Sequence, residues 1–422
     1  MAANQAQAAE RVLTFHDARR VVEEHAAKLR VGSVELVDLS QAHGRVLAEE
    51  IAADRDFPPF PRATRDGFAV SAADVSAPPA RLRVVGEVKA GAGEIDFQIR
   101  RGEAAEIMTG APVPEGADAV VMVEYTARQA DNVEVQRSAT AGDNIVPRGA
   151  EARENTILLS AWTRLSPAAI AIAASVGKTM LHVFARPRVA ILATGDELVD
   201  VAADPGPHQI RNSNSYSLAA QVEAAGGQAV ILPIAPDEKQ ELRNLVREGL
   251  SADLLLLSGG VSMGKYDLVE QVLEELGAEF FFTGAQIQPG RPVVFGRAPA
   301  RSGAQPTYFF GLPGNPVSTM VTFELFARTM VEALAGLHPR PLIFASARLK
   351  KDVKTKTGLT RFLPAVLSGE FEHAEVELLS WQGSGDIAAT ARANCFLVIP
   401  PDKEKIDAGE SVSVLMPGSP AS

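Results

Sequence analysis

The amino-acid sequence predicts a multidomain α/β plus β protein, with a central three-layer α/β domain that has a mostly parallel sheet. From Arg188 to Leu334, short apolar strand patterns alternate strictly with helical patterns, which indicates parallel strands joined by right-handed helical crossovers. The run Leu254 to Leu257 suits a strand that is buried on both faces. Before and after this part of the chain, short strand patterns are separated by turn residues. They predict N-terminal β-rich modules and a C-terminal β-barrel.

Composition narrows the class of protein. The length of 422 residues suggests roughly three domains, and the net charge of −11 argues against broad nucleic-acid binding, which needs a basic face. Cys395 is the only cysteine, so an internal disulfide and a cysteine-based zinc site are excluded. The N-terminus lacks the apolar core of a signal peptide, and the most apolar helical segment, 168–176, is far shorter than the ~20 residues that span a bilayer. We therefore expect a cytoplasmic protein that does not enter a membrane.

The N-terminal part opens with a helix signal. Thr14 and Asp17 form a capping-box pattern, and apolar residues follow at helical spacing. Residues 33–39 alternate like a strand, and 44–50 suggest a helical turn. Three prolines within 58–61 make a continuous helix implausible there and mark a module boundary.

The remaining elements follow from hydrophobic periodicity and turn residues. The β-rich module has its clearest strand patterns at 82–88, 119–125, 133–137 and 156–159, before an apolar helix from Pro167 to Gly177. The α/β part has predicted strands at 189–193, 229–234, 254–257, 280–282 and 308–310, and predicted helices at 215–225, 237–250, 268–276 and 317–334. The last part has predicted strands at 342–349, 361–367, 375–379, 395–399 and 411–415.

Three glycine-containing loops follow three of the predicted central strands. They are T-G-D-E at 194–197, S-G-G at 258–260 with Ser262 and Gly264 just beyond, and G-L-P-G-N-P at 311–316. Open α/β sheets bind ligands at the carboxyl ends of their strands, and free backbone N–H groups there suit a phosphate or another oxyanion. A single loop of this kind is equally well a tight turn, but three together predict an anion site.

Six motifs follow one another along nearly the whole chain. They are R-D-G-F-A (65–69), I-M-T-G-A-P-V-P (107–114), T-G-D-E-L (194–198), S-G-G-V-S-M-G (258–264), Q-P-G-R-P (288–292) and G-L-P-G-N-P (311–316). In kind and order they resemble the motifs of the molybdopterin molybdenumtransferase family, which includes the E domain of gephyrin. The resemblance implies that the central domain has the molybdopterin-binding fold, which a separate adenylyltransferase also uses.

The resemblance implies a role in molybdenum cofactor biosynthesis, in which molybdate is inserted into adenylylated molybdopterin and AMP is released. It also implies a homodimer whose cleft combines the α/β domain of one subunit with the N-terminal β module of the other. Adenylylated molybdopterin and molybdate are the expected substrates, and the molybdopterin adenylyltransferase and apo-molybdoenzymes are further expected partners. Mg²⁺ is the expected cofactor, because it suits a few carboxylates and cleavage of a phosphoanhydride.

The secondary-structure patterns and the family resemblance together divide the chain into five expected parts. The expected parts are an N-terminal helix associated with the central domain (1–30), a linker and dimerisation module (31–53 and 155–186), a β-rich module that carries Asp66 and Thr109 (54–154), the central molybdopterin-binding domain (187–339) and the C-terminal β-barrel (340–422).

The resemblance also assigns roles to individual residues. The implied catalytic residues are Asp66, Glu197, Asp237 and Asp267, of which the last three are also the implied metal ligands, with Asp196 a weaker candidate. The implied substrate-binding residues are Thr109, Thr194, Gly195, Ser258, Gly259, Gly260, Ser262, Gly264, Gln288, Arg291, Pro313, Gly314, Asn315, Pro316, Arg361 and Ser384.

Each acidic candidate also has a structural interpretation. Asp237 and Asp267 stand where a helix pattern begins, so either one could be an N-cap. Asp66 could form a surface pair with Arg65, and Glu197 could lie in the first turn of a helix. Arg361 and Ser384 could simply be exposed residues.

The chain departs from the family in its cations. Gln288 and Gly284 stand where many relatives have lysine, and Pro364 stands where many have arginine. Arg291 remains as a nearby cation and is predicted to neutralise more of the substrate charge.

The alternative functions are an adenylyltransferase or nucleotide pyrophosphatase on the same central fold, and a non-catalytic scaffold dimer. The R-D-G-F-A and T-G-A-P motifs count against the first two, and the retained carboxylates count against the scaffold.

Overall fold

The computed structural model describes residues 11–91, 93–260, 268–300 and 305–418. The chain divides into two compact units. The first unit comprises Met1–Ala48, Trp162–Ser166 and Met180–Ser422, and the second comprises Glu49–Ala161 and Pro167–Thr179. No helix in the described ranges is long and apolar enough to cross a membrane.

The central sheet of the first unit has six strands. In spatial order they are Gln228–Ile231, Arg188–Ala193, Leu254–Ser258, Thr307–Leu312, Val294–Ala298 and Glu279–Phe282. The first four are parallel to one another, which confirms the predicted parallel sheet, and Val294–Ala298 is antiparallel to both of its neighbours, Thr307–Leu312 and Glu279–Phe282. The Val294–Ala298 strand was not predicted. Its apolar run is short, and no helix separates it from the Thr307–Leu312 strand, so the alternation of strands and helices does not reveal it.

The four leucines at 254–257 show why the central strand is stable. Leu254 and Leu256 belong to one hydrophobic core, while Leu255 and Leu257 belong to the core on the opposite face of the sheet. All four are fully buried, as the apolar run predicted. Burial of each leucine side chain contributes about 1.5–3 kcal/mol, so this strand anchors both layers of helices.

Helices of the first unit cover the two faces of the central sheet, and a further helix lies in the second unit. Their bounds are Phe15–Ala26, Pro167–Ser175 in the second unit, Asn214–Ala224, Lys239–Gly249, Leu268–Glu275, Pro316–Thr322, Arg328–Leu334 and Ile387–Arg392. The single helix predicted at 317–334 is interrupted, because Phe323–Ala327 form a π-helical turn. The short Ile387–Arg392 helix was not predicted.

The N-terminal helix begins where its capping pattern predicted. Thr14 Oγ1 accepts a hydrogen bond from the Asp17 N–H at 3.2 Å. The Phe15 ring packs edge-on against Phe362, with ring centroids 5.1 Å apart, and it joins the core beneath the central sheet. The helix is therefore held by tertiary packing as well as by its cap.

The helical turn predicted at 44–50 is wrong. Val46 and Leu47 instead form isolated antiparallel bridges with Arg164 and Val183. Both residues are buried, and their backbone groups bond to strands distant in sequence rather than to a local turn.

The second unit is built on a mixed six-stranded sheet. Its strands, in spatial order, are Ala119–Met122, Gly67–Val70, Glu103–Ile107, Ala80–Val88, Asn132–Val135 and Thr126–Gln129.

Smaller two-stranded sheets occur in both units. The pairs in the described residues are Ile51–Ala52 with Ile157–Leu159, Arg62–Ala63 with Ile145–Val146, Val34–Asp38 with Met180–Phe184, Val12–Leu13 with Gly284–Ala285, Leu198–Val199 with Ile210–Arg211, and Val353–Lys354 with Lys405–Ile406.

The C-terminal part is a closed five-stranded barrel, as predicted. Its strands are Phe344–Leu349, Thr360–Ser368, Glu375–Leu378, Cys395–Ile399 and Ser411–Leu415. The barrel closes because Thr360–Ser368 pairs with both Glu375–Leu378 and Cys395–Ile399. A short strand, Ile287–Gln288, joins Thr360–Ser368 in parallel and sets Gln288 opposite Arg361.

Candidate functional site

Three glycine loops meet at the carboxyl ends of adjacent parallel strands. We call this region the glycine-loop edge and define it as residues 194–197, 258–260 and 311–316. The Thr194 N–H donates to the Ser258 carbonyl at 3.0 Å, and the Gly259 N–H donates to the Leu312 carbonyl at 3.2 Å. These bonds hold the three loops side by side, at the position where an open α/β sheet binds its ligand.

The S-G-G loop runs close to Thr194, and only glycine fits there. Gly259 has φ +90°, and a Cβ on it would lie 2.6 Å from the Thr194 carbonyl oxygen. A Cβ on Gly260 would lie 2.7 Å from Thr194 Oγ1. Thr194 is 4% exposed, and its hydroxyl has no hydrogen-bond partner among the described residues. The edge therefore offers a buried hydroxyl beside a backbone loop, which fits an oxyanion.

Asn214 belongs to this site, although sequence reasoning missed it. Its Nδ2 donates to Ser258 Oγ at 2.9 Å and to the Gly314 carbonyl at 2.8 Å. One side-chain amide thus ties the S-G-G loop to the G-N-P loop. The only signal in the sequence is the polar run Asn212-Ser213-Asn214 just before a helical pattern, and this run is equally typical of a helix start.

Three of the acidic candidates, Asp196, Glu197 and Asp237, lie on neighbouring loops. Asp196 Oδ1 accepts from the Asp237 N–H at 3.0 Å, and Thr194 forms a parallel bridge with Ala235. The Glu197 carboxylate folds against Gly195, where an added Cβ would lie 2.4 Å from Glu197 Oε2. The structure therefore brings Thr194, Gly195, Glu197 and Asp237 together, with Asp196 between them, and all three carboxylates are exposed.

Asp237 is not the N-cap of the following helix, so that interpretation is wrong. Glu238 caps Lys239–Gly249 by accepting the N–H groups of Gln240 at 3.1 Å and Glu241 at 2.8 Å. These backbone hydrogen bonds hold the pKa of the Glu238 carboxyl below its ordinary value. Within the described residues no hydrogen bond occupies the Asp237 carboxylate, so it is free to meet a ligand.

Part of the predicted site lies outside the described residues. Ser262, Gly264 and Asp267 all fall within 261–267, so their assigned roles stay predictions. Among the residues that the structure describes, no group of three or more histidine, cysteine, aspartate or glutamate side chains is arranged to hold a metal ion. Of the predicted trio Glu197, Asp237 and Asp267, the last lies outside the described residues.

The G-N-P loop carries the other substrate-binding candidates of the first unit. Asn315 precedes the Pro316–Thr322 helix, and the N–H of Val317 donates to the Ser384 carbonyl at 3.0 Å. Pro313 is fixed by a short hydrogen bond from Thr319 Oγ1 to its carbonyl. The structure thus brings Ser384, from the barrel region, to the helix start beside Gly314 and Pro316.

The cationic candidates differ in exposure. Arg361 is 6% exposed and donates to the Leu359 carbonyl at 3.1 Å, so its interpretation as an ordinary exposed residue is wrong. Burial lowers the pKa of the Arg361 guanidinium. Gln288, its neighbour in the ladder, and Arg291 are exposed. The region thus retains one buried arginine, Arg361, and one exposed arginine, Arg291.

Asp66 and Thr109 lie in the second unit and bond to each other. Asp66 Oδ1 accepts from the Thr109 N–H at 2.6 Å and from Thr109 Oγ1 at 2.8 Å. These hydrogen bonds hold the pKa of the Asp66 carboxyl below its ordinary value. No ion pair joins Asp66 to Arg65 in the described ranges, so the surface-pair interpretation is not supported. The two motifs R-D-G-F-A and T-G-A-P therefore form one local unit.

The Asp66 carboxyl gives a prediction that can be tested by titration. Thr109→Val removes the hydroxyl donor and keeps the N–H, so the pKa of Asp66 should rise toward its ordinary value. Because the folded pKa is lowered, the stabilisation is present above the unfolded pKa and is lost as the pH falls through the folded pKa. NMR titration of the labelled carboxyl measures the shift, and Thr109→Ser should keep the low value. A Thr109→Val titration identical to wild type would contradict the hydrogen-bond account.

The fold and the three glycine loops define a class of protein, one with an α/β domain of the kind that binds ligands at the carboxyl ends of its strands and with β-rich parts before and after it in the sequence. Three family models cover most of the chain: the MoeA N-terminal region, domains I and II (13–177), the probable molybdopterin binding domain (190–333) and the MoeA C-terminal region, domain IV (346–416). The chain belongs to the molybdopterin molybdenumtransferase family and is a transferase of molybdenum cofactor biosynthesis.

Individual relatives match over nearly their whole length. A molybdopterin molybdenumtransferase from Bacillus subtilis is 34% identical over 398 residues, which cover 91% of this chain and 90% of that protein. One from a Nostoc species is 36% identical over 392 residues, covering 90% and 88%. The crystal structure of a molybdopterin biosynthesis MoeA protein from Pyrococcus horikosii aligns with a TM-score of 0.70 and 32% identity, covering 96% of this chain and 99% of that one.

Proposed function

We propose that this protein inserts molybdate into adenylylated molybdopterin and releases AMP. The observation that carries the proposal is the glycine-loop edge, where Asn214 holds two loops together beside the buried hydroxyl of Thr194. Backbone N–H groups, a helix start and a buried hydroxyl converge there, and they suit the pyrophosphate of such a substrate. The family to which the chain belongs supports the same reaction.

Charge neutralisation is the second requirement for breaking a phosphoanhydride. The edge is rich in carboxylates, so a divalent cation is needed between them and an anionic substrate. We propose that Glu197 and Asp237, with Asp267, hold Mg²⁺, since hard carboxylate oxygens are the ligands this ion prefers. Bound there, Mg²⁺ would neutralise charge on the phosphates. Arg361 and Arg291 would supply the remaining positive charge.

An AMP-release assay tests the proposed function. Purified protein is mixed with adenylylated molybdopterin, molybdate and Mg²⁺, and AMP is measured by chromatography. Molybdate-dependent AMP release supports insertion. A protein that makes the adenylylated pterin from ATP would be an adenylyltransferase, and release from unrelated dinucleotides would indicate a pyrophosphatase. No release with any of these substrates would leave the scaffold alternative.

Asn214 gives a prediction within this site. Asn214→Ala removes both bonds that join the S-G-G and G-N-P loops, so AMP release should fall at least ~10-fold, because small misplacements of a site are costly. Hydrogen exchange at 258–260 should become faster in the same variant. Asn244→Ala, which removes an exposed amide that bonds to Gln240, is the matched control and should change neither. Equal activity of Asn214→Ala and wild type would show that the loops do not need this tie.

We also propose a homodimer and a cytoplasmic location. The two-stranded ribbon of Val34–Asp38 and Met180–Phe184 exposes Val34 by 49%, Leu36 by 53% and Met180 by 39%. Apolar side chains clustered on one exposed ribbon are typical of an interface between protein chains. The cytoplasmic location stays the prediction made from composition.

The homodimer proposal includes a cleft shared between subunits, in which Asp66 acts on the partner's glycine-loop edge. An Asp66→Asn subunit and an Asp237→Asn subunit should each be nearly inactive as homodimers. In a mixture about half of the dimers are mixed and have one intact cleft, so about a quarter of wild-type AMP release should return. The heterodimer can be purified with two affinity tags. Activity no greater than the sum of the parents, in a verified heterodimer, would mean that each chain completes its own cleft.

A further inference from the structure

A second cavity opens at the amino ends of the central strands. Arg188, Gln228 and Thr307 each begin a parallel strand, and all three line this cavity of about 810 Å³. We call it the amino-end cavity. The glycine-loop edge lies at the other ends of the same strands, roughly 17 Å away for strands of this length. The amino-end cavity is therefore separate from the site described above.

Three arginines line the amino-end cavity without a carboxylate partner. Arg30, Arg186 and Arg188 are among its lining residues, and no described carboxylate forms an ion pair with any of the three guanidinium groups. Among the described contacts, neither acidic residue of the lining forms an ion pair with one of these three guanidinium groups. Glu35 pairs with Arg45, and Asp253 Oδ2 accepts the Arg188 N–H at 2.7 Å.

The lining has three arginines and two carboxylates, which is an excess of positive charge on a chain with a net charge of −11. Guanidinium groups bind phosphate through paired N–H donors, and unpaired ones in a concave site favour an anion over a neutral ligand. Leu29, Pro187 and Leu334 add an apolar wall on which a non-ionic part of a ligand can rest. The volume is in the range of sites for small organic ligands and is far larger than a free phosphate needs.

We propose that the amino-end cavity is a second ligand site, which takes a phosphate ester of about the size of a mononucleotide. Arg30 and Arg186 contact the phosphate, and the apolar wall contacts the organic part. The inference goes beyond the proposed function and does not depend on it.

A single-cysteine reporter tests this site locally. Ser33 lies in the lining and is exposed, so Ser33→Cys can carry an environment-sensitive fluorophore. Cys395 does not compete for the label, because it is 1% exposed and burial raises the pKa of its thiol to about 11. AMP, pyrophosphate and inorganic phosphate are then titrated at constant ionic strength, with chloride as the reference.

We expect a saturable response to AMP and a weaker one to inorganic phosphate. Arg30→Gln with Arg186→Gln should raise the apparent Kd for AMP at least ~10-fold, because two charge-assisted contacts are lost. The matched control is Arg81→Gln with Arg101→Gln, which removes the same charge from exposed positions of the second unit and should change the Kd less than ~2-fold. Asn214→Ala should leave the response intact, because it alters only the glycine-loop edge.

Three outcomes would overturn the inference. Chloride could reproduce the response, which would mean non-specific screening of the arginines. The arginine double variant could bind AMP as wild type does. The signal could follow protein concentration instead of ligand, which would mean that a second chain covers the arginines. A protein that fails the molybdate-dependent assay but gives the arginine-dependent signal would retain this site and lose only the proposed function.

Discussion

Replacing Asp237 by asparagine is expected to lower AMP release at least ~100-fold, because the change removes negative charge from a metal-assisted step. The fold should survive. Asp237 is exposed, and in the described part of the chain only its backbone N–H is engaged, by Asp196. The variant therefore keeps the contact that positions it and loses only the charge. Asp267→Asn is expected to have an effect of the same size.

The adjacent glutamate supplies a matched control. Glu238 caps the Lys239–Gly249 helix, so Glu238→Ala should lower the melting temperature while AMP release stays near that of wild type. Asp237→Asn should instead keep the melting temperature near that of wild type and lower AMP release. Both variants are measured by thermal unfolding and by AMP release. Loss of stability with normal turnover in Asp237→Asn would return Asp237 to a structural role.

The second large effect is expected from Gly259→Ala. Gly259 has φ +90°, and an added Cβ would lie 2.6 Å from the Thr194 carbonyl oxygen, which is backbone and cannot rotate away. A residue held in such a conformation costs about 1–3 kcal/mol, so the free energy of unfolding should fall by that order. AMP release should fall at least ~100-fold, because the loop and Thr194 must move apart.

Gly32→Ala is the control for this substitution. Nothing lies within 4 Å of a Cβ built on Gly32, so the same chemical change should cost little there. Chemical denaturation measures the free energy of unfolding of both variants. If Gly259→Ala matched Gly32→Ala in stability and kept wild-type turnover, the close approach of the two loops would not be a requirement of the site.

Several features of the chain were predictable because they are encoded in local pattern. The leucine run at 254–257 predicted a strand buried on both faces, and Thr14 predicted the start of the first helix. The alternation from Arg188 onward predicted the parallel sheet, which in turn placed three glycine loops at a common edge. The six motifs predicted the family to which the chain belongs.

Other features depend on partners that are distant in sequence, and pattern does not encode such pairings. Asn214 looked like part of a helix start, and the fold makes it the tie between Ser258 and a loop 100 residues away. In the sequence, Asp237 and Glu238 both stand at the start of a predicted helix, and either could be its N-cap. In the structure Glu238 is the N-cap, and the Asp237 N–H donates to Asp196.

The sequence by itself therefore determined most of the element types and their order, the family and the residue types available at the site. The tertiary structure decided which backbone and side-chain groups meet, since hydrogen bonds form between whatever groups the packed sheet brings within reach. It closed the barrel through Thr360–Ser368, set Gln288 beside the buried Arg361, and placed Arg30 and Arg186 around one cavity. Residue periodicity reports burial and secondary structure, whereas these contacts depend on how separate elements pack together.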